Sequence, residues 1–155
     1  MFLDILLIIH KISFGGFILK KVLHELDGIT FDSSWELAFY IYLRDYGIPF
    51  EYHPKIEFPY KIEEDDDKFH LYRPDFRVHD KYVEIKGNHL AEGKDKNKMD
   101  FLDDLGIDVF TGNDIKPFLD YVAQNYGKGY LLQCRKDSSA EPKATDTCPN
   151  QHYGL

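Results

Sequence analysis

The sequence has little cysteine and no long apolar run, and both absences narrow the kind of protein that it encodes. Only two cysteines occur in 155 residues, Cys134 and Cys148, which gives neither a disulfide framework nor the spacing of a zinc site. The most apolar stretch, residues 1–9, is too short to cross a bilayer and lacks the basic start and cleavage site of a signal peptide. We therefore expect a cytoplasmic protein with no membrane partner.

The short motifs of several enzyme and DNA-binding classes are missing as well. The sequence contains no glycine-rich phosphate loop, no Gly-x-Ser-x-Gly elbow, no His-Glu-x-x-His pair and no paired-cysteine motif. Its seven histidines are scattered. A zinc finger or helix-turn-helix, which would read a DNA sequence directly, is not recognisable. Any sequence-specific action on DNA would therefore need a partner, a dimer or recognition of DNA shape.

The composition is that of one folded domain with an excess of acid. Hydrophobic residues make up 43% and aromatic residues 15% of a chain long enough to bury a core. The formal net charge is -8, and part of the excess is an unbroken acidic run at residues 63–67, which we interpret as a solvated hairpin tip. This charge counts against tight non-specific binding to nucleic acid, which depends on Lys and Arg contacts to phosphate.

Residues 1–29 stand apart as an apolar, helical N-terminal extension. Apolar positions recur at helical spacing over residues 17–26, beside Lys20 and Lys21. A helix packed on the domain explains this pattern. An arm that joins two copies into a homodimer is the alternative, because an apolar helix outside the domain needs a cover.

Residues 30–135 alternate helical and strand patterns. The apolar run over residues 34–46 predicts a buried helix that ends at Gly47. After it we predict a strand pair or one bent strand over 50–60, a helix within 91–104, a strand at 107–110, a helix from Asn113 to Tyr126 and an edge strand at 130–134. This order predicts an α/β fold with a mixed central sheet flanked by helices. Residues 136–155 lack periodicity and are predicted to be a flexible tail.

The segment from His70 to Gly87 contains the strongest candidate for an active site. It reads as two strands, 70–78 and 81–86, joined by a tight polar turn. Side chains two apart on a strand share a face, so Glu84 and Lys86 should point the same way while Ile85 points into the core. With Asp75 on the neighbouring strand, two carboxylates and an amine would form a site for a hard cation.

These residues resemble a known signature. Pro74-Asp75 followed by Glu84-Ile85-Lys86 is similar to the Pro-Asp…(Asp/Glu)-x-Lys pattern of the PD-(D/E)XK nuclease superfamily, which has the restriction-endonuclease-like fold. The resemblance covers residues 30–135. It implies a small endonuclease of the kind found in phages and mobile elements.

The resemblance also implies a chemistry. Asp75, Glu84 and the backbone carbonyl of Ile85 would bind Mg²⁺, with Mn²⁺ able to substitute, and DNA phosphodiester bonds would be hydrolysed by a water of the ion. Lys86 would orient or deprotonate this water and stabilise the charge that grows on the phosphate. Glu36 would support the site as the first acidic motif of the superfamily.

Glu36 has a second, purely structural explanation. Ser33-x-x-Glu36 is a capping box, in which the serine hydroxyl and the glutamate carboxylate satisfy free amides of the first helical turn. The two roles are not exclusive. We favour the functional role because the downstream signature is intact.

Several further residues are candidates for contact with DNA or with the leaving group. His70 and Tyr72 flank the proposed site, although such residues on a half-buried strand are usually structural. The candidate DNA contacts are the basic or amide residues Arg73, Arg77, Lys94, Lys96, Asn97 and Lys98, for which an exposed charged surface is the alternative explanation. A different class of function stays open too: a catalytically inactive nucleic-acid-binding or assembly subunit that keeps the nuclease fold.

Overall fold

The computed structural model describes residues 21–61, 68–87 and 94–136. The elements in these ranges are β1 (His24–Leu26), β2 (Ile29–Phe31), α1 (Ser34–Asp45), β3 (Phe50–Tyr52), β4 (Phe58–Tyr60), β5 (His70–Tyr72), β6 (Phe76–Val78), β7 (Lys81–Ile85), α2 (Lys94–Asp104), β8 (Asp108–Phe110), α3 (Gly112–Asn125) and α4 (Tyr130–Gln133). They form an α/β fold with a mixed sheet flanked by helices, as the sequence predicts.

The central sheet has four strands in the order β3-β6-β7-β8. β6 is antiparallel to β3 and to β7, and β8 is parallel to β7. The parallel pair needs a crossover, and α2 lies in that connection. β1–β2 and β4–β5 are separate antiparallel pairs.

Alternation along the strands divides the apolar residues between the two faces of the sheet. Phe76, Val83 and Ile85 belong to the larger core, together with most of α1 and the inner residues of α3. Tyr82 and Val109 belong to a smaller core on the other face, with residues of α2, β4 and β5. The sheet is therefore covered on both sides.

The helix predicted over residues 34–46 is confirmed as α1. Ser33 caps its first turn and Gly47, with a positive φ of 62°, follows its end. Leu37 and Ile41 have no exposed surface, and every residue from Glu36 to Ile41 is buried. A helix with so much buried apolar surface is stabilised chiefly by tertiary packing.

The helical prediction for residues 17–26 is wrong in its described part. His24–Leu26 is a strand that pairs with Ile29–Phe31 around Asp27 and Gly28, which have positive φ of 54° and 76°. An Asp-Gly pair readily adopts this turn, and it dictates a hairpin. Residues 1–20, including the proposed arm for a homodimer, lie outside the described residues.

Three other boundaries differ from the predictions. The strand expected over 70–78 is two strands, because buried Pro74 lacks an N–H for the ladder; β5 pairs with β4 and β6 with β3. Accordingly β3 and β4 are separate strands of different sheets. Residues 130–133 form the helix α4 instead of an edge strand, with N–H groups of Leu132 and Gln133 donating to the carbonyl of Gly129.

The remaining elements follow the predictions closely. α2 and β8 lie within the expected ranges. α3 begins at Gly112, one residue before the predicted start at Asn113, and Thr111 is its N-cap. The acidic run 63–67 belongs to the connection between β4 and β5, and its structure, like that of the tail 137–155, lies outside the described residues. Within those residues, no helix is both long enough and apolar enough to cross a membrane.

Candidate functional site

Asp75 and Glu84 face each other at the open end of the β6–β7 hairpin, away from its turn. Phe76 pairs with Val83, so one step further along the antiparallel ladder Asp75 stands opposite Glu84. The N–H of Ile85 donates to Oδ2 of Asp75 at 2.7 Å. This bond ties the carboxylate of one strand to the backbone of the next. Asp75 and Glu84 are therefore neighbours on adjacent strands, and their joint binding of a cation stays a prediction.

Glu84 is buried and has a donor on each carboxylate oxygen. Its side chain shares the face of Tyr82, which is the face covered by α2. Oε1 lies 3.1 Å from Nζ of Lys98 and 3.4 Å from Nζ of Lys86. Oε2 accepts a hydrogen bond of 2.9 Å from the Tyr72 hydroxyl. We call Asp75, Glu84, Lys86 and Lys98 the carboxylate site.

The charges of the carboxylate site do not balance around Asp75. Burial, the negative charge of Glu84 and, more weakly, that of Glu36 raise the pKa of Asp75 from 3.8 to about 8. The Ile85 N–H and the ammonium of Lys98 oppose this rise without cancelling it. A carboxyl whose pKa is raised by burial and by a neighbouring acid is a candidate for a functional site.

Tyr72 acts as a hydrogen-bond donor in this site. Burial and the negative charge of Glu84 raise its pKa far above the usual value, so the hydroxyl keeps its proton throughout the neutral range. The ring of Tyr72 also lies beneath the Lys98 ammonium, 4.9 Å from Nζ to the ring centroid. Sequence reasoning placed Tyr72 beside the site, but the contact with Lys98 depends on how α2 packs on the sheet and has no signal in the local sequence.

The contacts of Glu36 agree with its structural explanation, and its functional role stays a prediction. The Ser33 hydroxyl donates to Oε1 at 2.8 Å, and the Glu36 N–H donates to Ser33 Oγ at 3.2 Å, which is the capping interaction. Oε2 accepts from the Tyr52 hydroxyl at 2.7 Å and from the Asp32 N–H at 3.2 Å. Its charge nonetheless reaches Asp75, whose pKa it helps to raise.

Sequence reasoning overlooked two residues next to Glu36. One ligand atom each of Asp32, Glu36 and His53 lies within 4.8 Å of the other two, close enough to surround a cation. His53 adopts a positive φ of 48°, and its N–H donates to the carbonyl of Asp75 at 2.8 Å. Because Asp32 and His53 are 21 positions apart and meet only through the fold, no spacing pattern could reveal them.

The predicted DNA contacts are distributed over several places. Arg73 is exposed and forms an ion pair with Glu57, and Arg77 is exposed on β6. Lys98 points into the carboxylate site and bonds Glu84. The other three, Lys94, Lys96 and Asn97, belong to the first turn of α2, and their side chains lie outside the described part of the structure. A role for any of these residues in binding phosphate stays a prediction.

The donor set of the carboxylate site fits a hard divalent cation. Two carboxylates on one edge are oxygen ligands of the type that Mg²⁺ and Mn²⁺ prefer. Burial and the negative charge of Glu84 raise the pKa of Asp75, and a bound cation would offset both effects. The ammonium groups of Lys86 and Lys98 already offset the charge of Glu84. The carbonyl of Ile85 as a third ligand stays a prediction.

Comparison with known proteins adds nothing to this geometry. No protein-family model, no curated protein and no solved structure matches the chain.

Proposed function

We propose that the chain is a divalent-cation-dependent endodeoxyribonuclease of the PD-(D/E)XK superfamily, with a restriction-endonuclease-like fold. One observation carries the proposal: Asp75 and Glu84 face each other across the β6–β7 hairpin, with Lys86 Nζ 3.4 Å from Glu84. Two inner strands with a purely structural role have no need of two clustered acids, since burying like charges together costs free energy. Such clusters are typical of functional sites.

The order of elements around the carboxylate site supports the same assignment. The superfamily pattern calls for an acidic residue on a helix upstream, and Glu36 lies in the first turn of α1. It also calls for a helix after the strand that ends in the lysine, and α2 follows β7. β8 then joins the sheet parallel to β7. Fold likeness alone does not imply an activity, so the site residues carry the weight.

Each residue has a distinct task in the proposed hydrolysis. Asp75 and Glu84 would hold the cation, which when bound makes a coordinated water more acidic and offsets charge on the phosphate. Lys86, beside Glu84 and partly exposed, orients the attacking water and stabilises charge that grows on the phosphate oxygens. Glu36 acts indirectly, because its negative charge raises the pKa of Asp75.

Long-range electrostatics oppose the approach of DNA to this chain. The net charge of -8 repels a polyanion at long range. A bound divalent cation would make the potential at the carboxylate site less negative. We therefore expect weak binding to non-specific duplex that declines steeply with added salt.

The test is cleavage of supercoiled plasmid by the purified chain with Mg²⁺, with Mn²⁺ and with EDTA. We expect nicking with either metal and none with EDTA. Asp75→Ala and Lys86→Ala should each lower the rate by at least about 100-fold, since each removes a group that contacts the reacting centre. Asp80→Ala and Lys81→Ala change the same charges in the exposed part of the same hairpin and should leave the rate unchanged.

Two outcomes would decide against the proposal. Equal rates for Asp75→Ala, Lys86→Ala and the parent chain would remove the site. Retention of DNA in a gel-shift assay, with no cleavage of any substrate, would favour the inactive binding subunit instead. The substrate panel should comprise linear duplex, four-way junction, flap, single-stranded DNA and RNA, so that it identifies the nucleic-acid structure that the site cleaves.

A further inference from the structure

The two carboxylate oxygens of Glu84 are held by contacts of different kinds, a hydroxyl at Oε2 and ammonium groups at Oε1, where Lys98 is nearer than Lys86. The Tyr72 hydroxyl donates to Oε2 at 2.9 Å. The Lys98 ammonium lies 3.1 Å from Oε1. Glu84 is only 6% exposed and Tyr72 only 3%, so neither side chain has room to turn to water. The contacts therefore set the direction in which the carboxylate points.

The two contacts affect the charge of Glu84 differently. A phenolic hydroxyl fixes an oxygen and leaves the carboxylate with its full negative charge. An ammonium neutralises the carboxylate and occupies the oxygen that it bonds. A cation binding at Glu84 would thus be helped by the first contact and opposed by the second.

Tyr72 connects the two contacts, because its ring also lies under the Lys98 ammonium. The ring is packed in the smaller core, near Phe58 on β4 and Phe101 on α2. These neighbours hold the ring, and the ring in turn places the hydroxyl. The sequence signature of the site contains neither Tyr72 nor this packing.

We infer that Tyr72 is a positioning residue, which aims Glu84 for a divalent cation, while Lys98 is a built-in competitor for the same carboxylate. The inference rests on the proposed function insofar as that function assigns a cation to Glu84. It adds a residue that orients the ligand and one that weakens cation binding. Outer groups of this kind alter metal affinity even though they do not touch the metal.

The test is the affinity for Mn²⁺ alone, measured by calorimetry on the full chain without DNA. Tyr72→Phe keeps the ring and removes the hydroxyl, and we expect a Kd about 10–100-fold higher. Lys98→Met keeps the length of the side chain and removes its charge, and we expect a Kd roughly 3–10-fold lower. Opposite signs distinguish positioning from a structural role, because mere loosening of the site would weaken binding in both variants.

Tyr60→Phe is the matched control. Tyr60 belongs to the same smaller core and stacks on Phe101, and within the described residues its hydroxyl is not among the groups that bond Glu84. Its loss should leave the Kd unchanged. Circular dichroism on all three variants would identify any that fail to fold, and Lys98→Met, which leaves the smaller core filled, then tests the competition by itself.

Each outcome separates the inference from the proposed function. Unchanged Mn²⁺ affinity in Tyr72→Phe, or weaker affinity in Lys98→Met, overturns the inference, while plasmid nicking by the parent chain would leave the nuclease proposal standing. Absence of Mn²⁺ binding to the parent chain overturns both. Opposite shifts in the two variants with no cleavage of any substrate would support the inferred cation site and contradict the nuclease.

Discussion

Two groups of partly buried charged side chains in this molecule differ in how far their carboxylates are neutralised. The first, which we call the Arg44 cluster, contains Arg44, Asp27 and Asp45. Arg44 donates to Asp27 at 2.7 Å and to Asp45 at 2.9 Å, so one guanidinium serves two carboxylates. Asp27 lies in the β1–β2 turn and the other two on α1, so the cluster ties the hairpin to the helix.

Tyrosine hydroxyls complete the Arg44 cluster. Tyr40 donates to Asp27 at 2.9 Å. Tyr121 and Tyr126 of the α3 region donate to Asp45 at 3.0 Å and 2.6 Å. Each carboxylate thus contacts a cation and at least one further donor, and these contacts offset the desolvation cost of a partly buried charge.

The carboxylate site is built from similar groups with a different result. There Asp75 accepts the N–H of Ile85, but burial and the neighbouring charge of Glu84 raise its pKa to about 8. The lysines contact Glu84 and leave Asp75 without a cation at contact distance among the described residues. The fold thus neutralises partly buried carboxylates at the Arg44 cluster. Incomplete neutralisation at Asp75 is therefore informative about function.

The largest effect on stability is expected from breaking the Arg44 cluster. Arg44→Ala leaves Asp27 and Asp45 without their cation and removes packing over the rings of Tyr40 and Tyr126. We expect a loss of roughly 2–4 kcal/mol in the free energy of unfolding, somewhat less than for a fully buried pair. Urea denaturation measures it.

Arg77→Ala is the control for Arg44→Ala, since Arg77 is exposed on β6. It should change stability by less than about 0.5 kcal/mol. If the two variants unfold at the same urea concentration, the Arg44 cluster is not a stabilising unit and the comparison fails.

Removing the charge of Asp75 should have the opposite sign. Asp75→Asn keeps an acceptor for the Ile85 N–H and removes the repulsion from Glu84. We expect the folded state to gain roughly 1–2 kcal/mol at pH 8, while cleavage of DNA is lost. A stability gain at the cost of activity is typical of residues that are kept for function.

The gain in Asp75→Asn should depend on pH. The folded chain holds the Asp75 proton up to about pH 8 and the unfolded chain releases it near 3.8, so the parent loses stability as pH rises between these values. The gain is therefore expected to grow over this interval and to vanish below it. Thermal unfolding at a series of pH values measures it, with Asp80→Asn in the exposed β6–β7 turn as control. A constant gain at every pH would refute the assigned cause.

Local sequence patterns carried enough information to predict α1, the β6–β7 hairpin and the shared face of Glu84 and Lys86. Each depends on residues close in sequence: helical periodicity with a capping serine, or alternation on a strand. The β1–β2 hairpin was also readable from Asp27-Gly28, but the apolar spacing upstream favoured a helix.

Other parts of the site depend on contacts that are distant in sequence. Lys98 reaches Glu84 only because α2 packs on the face of the sheet that carries Tyr82. Asp32 and His53 meet beside Glu36, whose carboxylate accepts a hydrogen bond from the Tyr52 hydroxyl. α4 begins after the left-handed Gly129, where the sequence predicts an edge strand. Such features follow from tertiary packing, which overrides local propensity.

The smallest effect is expected from Asp114, a carboxylate that belongs to neither cluster and tests what a donor alone can do. Oδ2 of Asp114 accepts the Thr111 N–H at 2.8 Å and the Thr111 hydroxyl at 2.9 Å, and these bonds hold its pKa below the usual value. The group therefore adds stability above its unfolded pKa that is lost as pH falls through the folded value. Asp114→Asn should lower the thermal midpoint slightly at neutral pH and hardly at all in acid, which is the reverse of the pH dependence for Asp75→Asn.

Asp120→Asn, at an exposed acid paired with Lys116 on the same helix, is the control. Equal pH profiles for Asp114→Asn and Asp75→Asn would show that neighbouring charge does not distinguish the two carboxylates, and the contrast between stabilised and functional acids would then fail.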